Sequence, residues 1–137
     1  MTTVSRTVSY QHTAGPYTGD AAAMTLTYDS AQPYTVVANF GVEGGPWSIW
    51  RDILARRVDG KAVCLAFDGV GEGGANCEVA GLWAYLTLAG VDFTVTIRML
   101  AAELDAFLHK TETLVPYGAE NLDFNAELDA LLKDGAR

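Results

Sequence analysis

The sequence predicts an α+β domain of mainly antiparallel sheet, with a short mid-chain helix and two C-terminal helices. Three observations carry that class. Short stretches alternating apolar with polar residues recur at roughly even spacing, the period of half-buried strands. Clusters of Gly, Pro, Asp and Ser punctuate them as turns. Apolar residues at helical spacing come after the strands rather than between them, which favours antiparallel sheet over a parallel, doubly wound one.

Residues 4–12 alternate as a first strand, and the turn-rich run Ala14-Gly15-Pro16-Tyr17-Thr18-Gly19-Asp20 follows. Met24, Leu26 and Tyr28 fall on one face of a second strand. Asp29-Ser30-Ala31-Gln32-Pro33 reverses the chain, and residues 34–40, rich in β-branched and aromatic side chains, make a third. After a turn at 41–46, Trp47-Ser48-Ile49-Trp50 reads as a short fourth strand that runs straight into a short helix over 51–58.

The second half repeats that order. Residues 61–67 alternate as a strand and Asp68-Gly69 opens a glycine-rich loop. An extra strand is expected within 77–80, and residues 82–88 and 91–97 form a hairpin around Ala89-Gly90. A helix starts at Met99, where Leu100, Leu104, Phe107 and Leu108 recur at the spacing of one apolar stripe. Pro116 lacks an N–H and biases Val115 toward an extended conformation, while Gly118 accepts a positive φ, so the helix stops there. Phe124, Leu128, Leu131 and Leu132 repeat the helical spacing in a terminal helix, with Asp123 placed to cap its first turn.

At 137 residues the chain is expected to be a single domain over 1–137, large enough to bury about two-thirds of its unfolded surface without disulfides or metal. Its formal charge of -8 is uneven: residues 1–62 hold five basic and five acidic side chains, residues 63–137 four basic and twelve acidic. Nucleic-acid affinity is built mainly from Lys and Arg neutralising phosphates, so nucleic acid and anionic membrane are not expected partners. The start Met-Thr-Thr-Val-Ser-Arg has no signal-peptide pattern and no apolar run approaches a bilayer span. A cytoplasmic protein is therefore expected, with Cys64 and Cys77 as ordinary thiols.

Catalytic patterns are weak. Gly69-Val70-Gly71-Glu72-Gly73-Gly74 matches G-x-G-x-x-G after a strand, but Ala75-Asn76-Cys77 is a poor helix start and Glu72 has the wrong sign for phosphate, so a hairpin loop is expected. His12 and His109 sit in no catalytic motif, and the two Cys and two His lie too far apart for zinc spacing. No enzyme, cofactor or metal site is expected. The cluster that stands out is Trp47, Trp50, Arg51, Arg56 and Arg57, because Trp and Arg most often carry interface energy; its bland counterpart is core packing with a solvated charged face.

Taken together, several stretches resemble the SsgA-like proteins of actinobacteria, of SsgB type, associated with morphogenesis and sporulation-specific cell division. They are Met1-Thr2-Thr3-Val4-Ser5, then Leu26-Thr27-Tyr28-Asp29 followed by Pro33-Tyr34-Thr35-Val36 and Phe40, then Trp47 four positions before Arg51-Asp52-Ile53-Leu54. The resemblance is strongest in Phe107-Leu108, Thr111, Val115-Pro116-x-Gly118-x-Glu120, Asp123 and Glu127-Leu128 before Leu131-Leu132. Departures include only a trace of the family's basic, valine-rich strand at Arg56-Arg57-Val58-Asp59-Gly60-Lys61-Ala62-Val63, and Asn125 where aspartate is common.

That resemblance implies a non-catalytic protein that localises or regulates the septum machinery, in the best-known relative by recruiting the tubulin-like protein FtsZ. It implies a Whirly-like arrangement of two mainly antiparallel sheets, a homotrimer, residence at division septa, and FtsZ or another SsgA-like protein as partner. Tyr28, Pro33, Tyr34, Phe107, Thr111, Pro116, Gly118 and Glu120 would then be structural. A rival reading is a Whirly-like single-strand nucleic-acid binder using Arg51, Arg56, Arg57, Lys61 and Arg98. A third is a small-molecule or enzymatic site in the glycine-rich loop.

Overall fold

The computed structural model describes residues 2–14, 19, 21–41, 45–57, 59–64, 73–90 and 94–119. Alternation of apolar and polar side chains produces eight strands: β1 (Thr3–Ala14), β2 (Ala21–Asp29), β3 (Thr35–Asn39), β4 (Pro46–Trp50), β5 (Gly60–Cys64), β6 (Gly73–Ala80), β7 (Trp83–Ala89) and β8 (Thr94–Leu100). Two helices accompany them among the described residues, α1 (Arg51–Arg56) and α2 (Ala101–Leu114). Every strand pairs antiparallel with its neighbour in sequence, and β1 also pairs with β8, so the sheet closes into a barrel in the order β1 to β8.

Closure corrects the two-sheet, Whirly-like expectation. A period of two says only that each strand has a wet and a dry face, and it is the same for a sandwich and a barrel. What decides is pairing through β5, which joins β4 over Trp47↔Cys64 to Ile49↔Ala62 and joins β6 over Gly60↔Ala75 to Ala62↔Gly73. The second of those ladders uses Gly73 and Gly74, which the sequence placed in a loop. A Cβ on Gly73 would stand 1.8 Å from the Ala89 carbonyl oxygen, so only glycine lets β6 and β7 approach this closely there. The expected strand within 77–80 is therefore the end of a longer one.

Inward positions alternate small with large. Ala38, Ala62, Ala75 and Ala84 are buried beside Tyr28, Trp47, Leu86 and Met99, which fills a narrow interior. The connections from β2 to β3, β4 to β5 and β6 to β7 lie at one end of the ring, where β8 also runs directly into α2, and both helices emerge at that end. Helix α2 leaves β8, and its last turn reaches the end of β4, four strands round the ring. At 14 residues it is ~21 Å long, enough to cross the mouth. Leu104, Phe107, Leu108 and Thr111 are its buried face, and with Val115 the apolar ones join the barrel core.

The expected stripe needs one amendment. Leu100 is the last residue of β8 and 45% exposed, so the helix begins at Ala101 and Thr111 completes the buried row. Its end follows the sequence: Val115 is extended at φ -139° and ψ 102°, and Gly118 has φ +88°. The expected terminal helix, with Asp123 and Phe124 to Leu132, lies outside the described residues, as does Glu120.

Candidate functional site

Arg51 extends the inward phase of Trp47 and Ile49 by one more step, so its side chain enters the barrel mouth and only 1% of the residue is exposed. From there Nη1 donates to the Val115 carbonyl at 2.7 Å and to Thr111 Oγ1 at 3.4 Å. The guanidinium carbon lies 5.0 Å from the centroid of the Tyr28 ring and 4.5 Å from that of Tyr117, distances at which the ring quadrupole attracts a cation. Its backbone N–H donates to the Tyr34 carbonyl at 2.7 Å. One side chain thus ties the start of α1 to the turn after α2, and its backbone ties both to the turn between β2 and β3.

Each partner is held in turn. The Tyr28 hydroxyl donates to the Pro33 carbonyl at 2.9 Å and that of Thr111 to the Leu108 carbonyl at 2.7 Å. Burial pushes the Tyr117 phenol above its ordinary pKa, an effect that Thr111 and the Arg51 charge oppose. Farther along the mouth, Arg57, in the left-handed region at φ 59°, ends α1 and reaches Asp105 of α2 at 3.2 Å; Arg6 of β1 pairs with Glu103 at 2.6 Å. The helix over the mouth is pinned at its start, middle and end.

The five residues singled out as a partner surface are divided by this geometry. Trp47 is 4% exposed and packs inside the barrel, so it and Arg51 are core residues. Trp50 is 53% exposed, and Arg56 is exposed with Asp52 3.6 Å away. The phase of β4 was the available signal: the odd positions face inward, which leaves Trp50 outside. Tyr34, expected to be structural, is 49% exposed and precedes Thr35, the residue that pairs with Trp50. Val79, Leu82 and Leu100 are exposed around the β6–β7 turn and the end of β8, a patch the sequence did not announce.

Of the basic residues in the oligonucleotide reading, Arg51 is internal, Arg56 and Arg57 each face an aspartate, and Arg98 lies on the Trp83 ring with bonds to Gln11. Lys61 is exposed. His12 meets the Tyr10 ring edge-on and His109 is exposed on α2. Among the described residues no three His, Cys, Asp or Glu side chains gather as a metal would require, and no helix is long and apolar enough to cross a membrane. Gly69 to Glu72 lie outside the described residues.

Residues 22–120 match the family model for SsgA, described as a Streptomyces sporulation and cell division protein. A solved structure of SsgB, from work correlating its mutations with longitudinal cell division during sporulation of Streptomyces coelicolor, aligns with a TM-score of 0.67 at 25% identity over 88% of this chain and 92% of that one. The crystal structure of an SsgA-like sporulation-specific cell division protein from Thermobifida fusca YX-ER1 gives a TM-score of 0.67 at 22% identity, covering 94% and 95%, and so shares the fold. No curated protein matches the sequence significantly.

Proposed function

Because this chain belongs to the SsgA family of sporulation and cell division proteins, we propose that it acts without catalysis, by binding other division proteins and so localising or regulating the septum machinery. The partner class is FtsZ or another SsgA-like protein, and the working assembly is a homotrimer at division septa. The observation that carries this reading is Trp50. A tryptophan half exposed on the outer side of β4 contributes little to the core, yet Arg51, next to it in the chain, is locked in the mouth by Val115, Thr111 and two aromatic rings. A large aromatic group is thereby presented on a rigid backbone, which lowers the ordering cost of an interface.

The test is co-localisation of the tagged chain with the division ring, together with capture of FtsZ by the purified protein. Trp50→Ala is expected to weaken capture by about 2 kcal/mol, roughly thirtyfold in affinity. Its melting temperature should hardly move, since Trp50 is outside the core. Undiminished capture by Trp50→Ala would remove this surface from the reading, and no association with septa in dividing cells would remove the function.

A further inference from the structure

The outer wall of the ring carries a pattern on β6, β7 and β8 that is complementary to itself. Cys77, Ala84, Leu86, Ile97 and Met99 are buried, so the positions alternating with them face outward. One outward row crosses the three strands as Glu78, Tyr85 and Arg98, each opposite the next in the antiparallel ladders. The row nearer the β6–β7 turn runs as Ala80, Trp83 and Leu100. At ~4.8 Å per strand, the backbones of Glu78 and Arg98 stand about 10 Å apart with that of Tyr85 between them. Both charges remain open to a second surface. Glu78 is exposed and makes no hydrogen bond or ion pair among the described residues. Arg98 lies 4.2 Å from the centroid of the Trp83 ring and gives Nε and Nη2 to the Gln11 side chain, which leaves Nη1 for a further acceptor. In the second row Leu100 is 45% exposed, while Ala80 at the other end is exposed and small. The adjoining turn is held in place, because Leu82 accepts the Ala101 N–H at 2.9 Å, and this lowers the ordering cost of a contact here.

We propose that this wall packs face to face against the same wall of a second copy of the chain, about a twofold axis running along β7. Rotation about that axis exchanges β6 with β8 and sets β7 against its equivalent. Glu78 then meets Arg98 of the second copy, Leu100 stands over Ala80, and each contact occurs twice, as a twofold interface requires. A different protein would have to reproduce both the opposed charges and the large-against-small order, whereas a second copy supplies them by symmetry. The wall of a barrel is convex, so the contact is confined to these three strands. A weak, reversible dimer is expected, at the small end of specific interfaces. Trp50 is on β4 and stays uncovered. The inference does not rest on the homotrimer reading; where a threefold assembly also forms, the two contacts together give six chains.

The experiment is sedimentation equilibrium of the full chain from micromolar to millimolar concentration, with masses checked by native mass spectrometry. A reversible doubling is expected, from one chain to two, or from three to six where a trimer forms. Glu78→Arg and Arg98→Glu each set like charges against one another and should weaken the doubling about tenfold. A mixture of the two variants should recover it as a heterodimer, because both contacts then pair opposite charges. Leu100→Asp leaves Arg98 and its bonds to Gln11 in place, and it should weaken the doubling with an unchanged far-ultraviolet spectrum. A protein that stays at one chain or at three throughout the range overturns the proposal. So does a doubling that these variants leave unchanged, or a mixture that associates no better than its components. Failure of the homotrimer reading looks different: masses of one and two chains, with none of three or six.

Discussion

Arg51 shows what a buried guanidinium meets at the barrel mouth. A guanidinium offers five donors in a plane and two faces to aromatic rings, and the mouth supplies the Val115 carbonyl, the Thr111 hydroxyl and the rings of Tyr28 and Tyr117. Arg51→Met keeps the volume but leaves the buried Val115 carbonyl without its donor; a loss of about 2–3 kcal/mol in urea unfolding is expected. Arg51→Lys, which retains the charge without the planar faces, should fall between the two. Cys77 makes the opposite case. Burial in the barrel pushes its thiol up to about 11, with the Arg57 charge only partly opposing. Since the folded-state value lies above the unfolded one, the protein holds this proton more tightly when folded, and stability should decline as pH rises from about 9 toward 11. In a Cys64→Ser chain, alkylation of Cys77 at pH 8 should wait on unfolding, which a time course with and without denaturant measures.

At the level of elements, α2 and its end were the most legible part of the chain, because a helical stripe, a proline and a positive-φ glycine are all local signals. Leu104, Phe107 and Leu108 were read correctly as the buried row, and Pro116 and Gly118 as the stop. Leu100 was misassigned because strand and helix meet there without a break, and its i+4 spacing to Leu104 imitates a turn of helix. Thr111 was expected to be structural from the resemblance, but its acceptance of a hydrogen bond from Arg51 depends on a residue sixty positions earlier in the chain, which no local pattern records. The energetics of the helix follow its two faces. Phe107→Ala, removing a fully buried ring, should cost about 3–5 kcal/mol. Glu103→Gln, which breaks the pair with Arg6 at a site a third exposed on both sides, should cost about 1 kcal/mol or less. Parallel thermal melts of the two variants check that ordering, and a comparable loss for both would mean that α2 is held by its charges rather than by the core.

For the whole molecule, most strands were legible, and their pairing into one closed ring was not. Neighbouring strands pair in sequence, as turn chemistry suggests, but the pairing of β1 with β8 and the passage through β5 rest on contacts far apart in the chain. The surface reading suffered in the same way: Trp47 and Trp50 look alike in sequence, and only the phase of β4 in the ring separates core from exterior. Gly73 is where closure can be probed directly. Gly73→Ala drives a methyl group into the Ala89 backbone, and a loss of about 3 kcal/mol is expected, with hydrogen exchange accelerated first at the β5–β6 and β6–β7 ladders. Closure also has a consequence for company. A sheet that ends exposes a row of unsatisfied amides and carbonyls onto which another chain can graft a strand. Each of the eight described strands already has a neighbour on both sides. Among the described strands, backbone templating, whether by a client peptide or by runaway fibril growth, therefore finds no edge strand to extend.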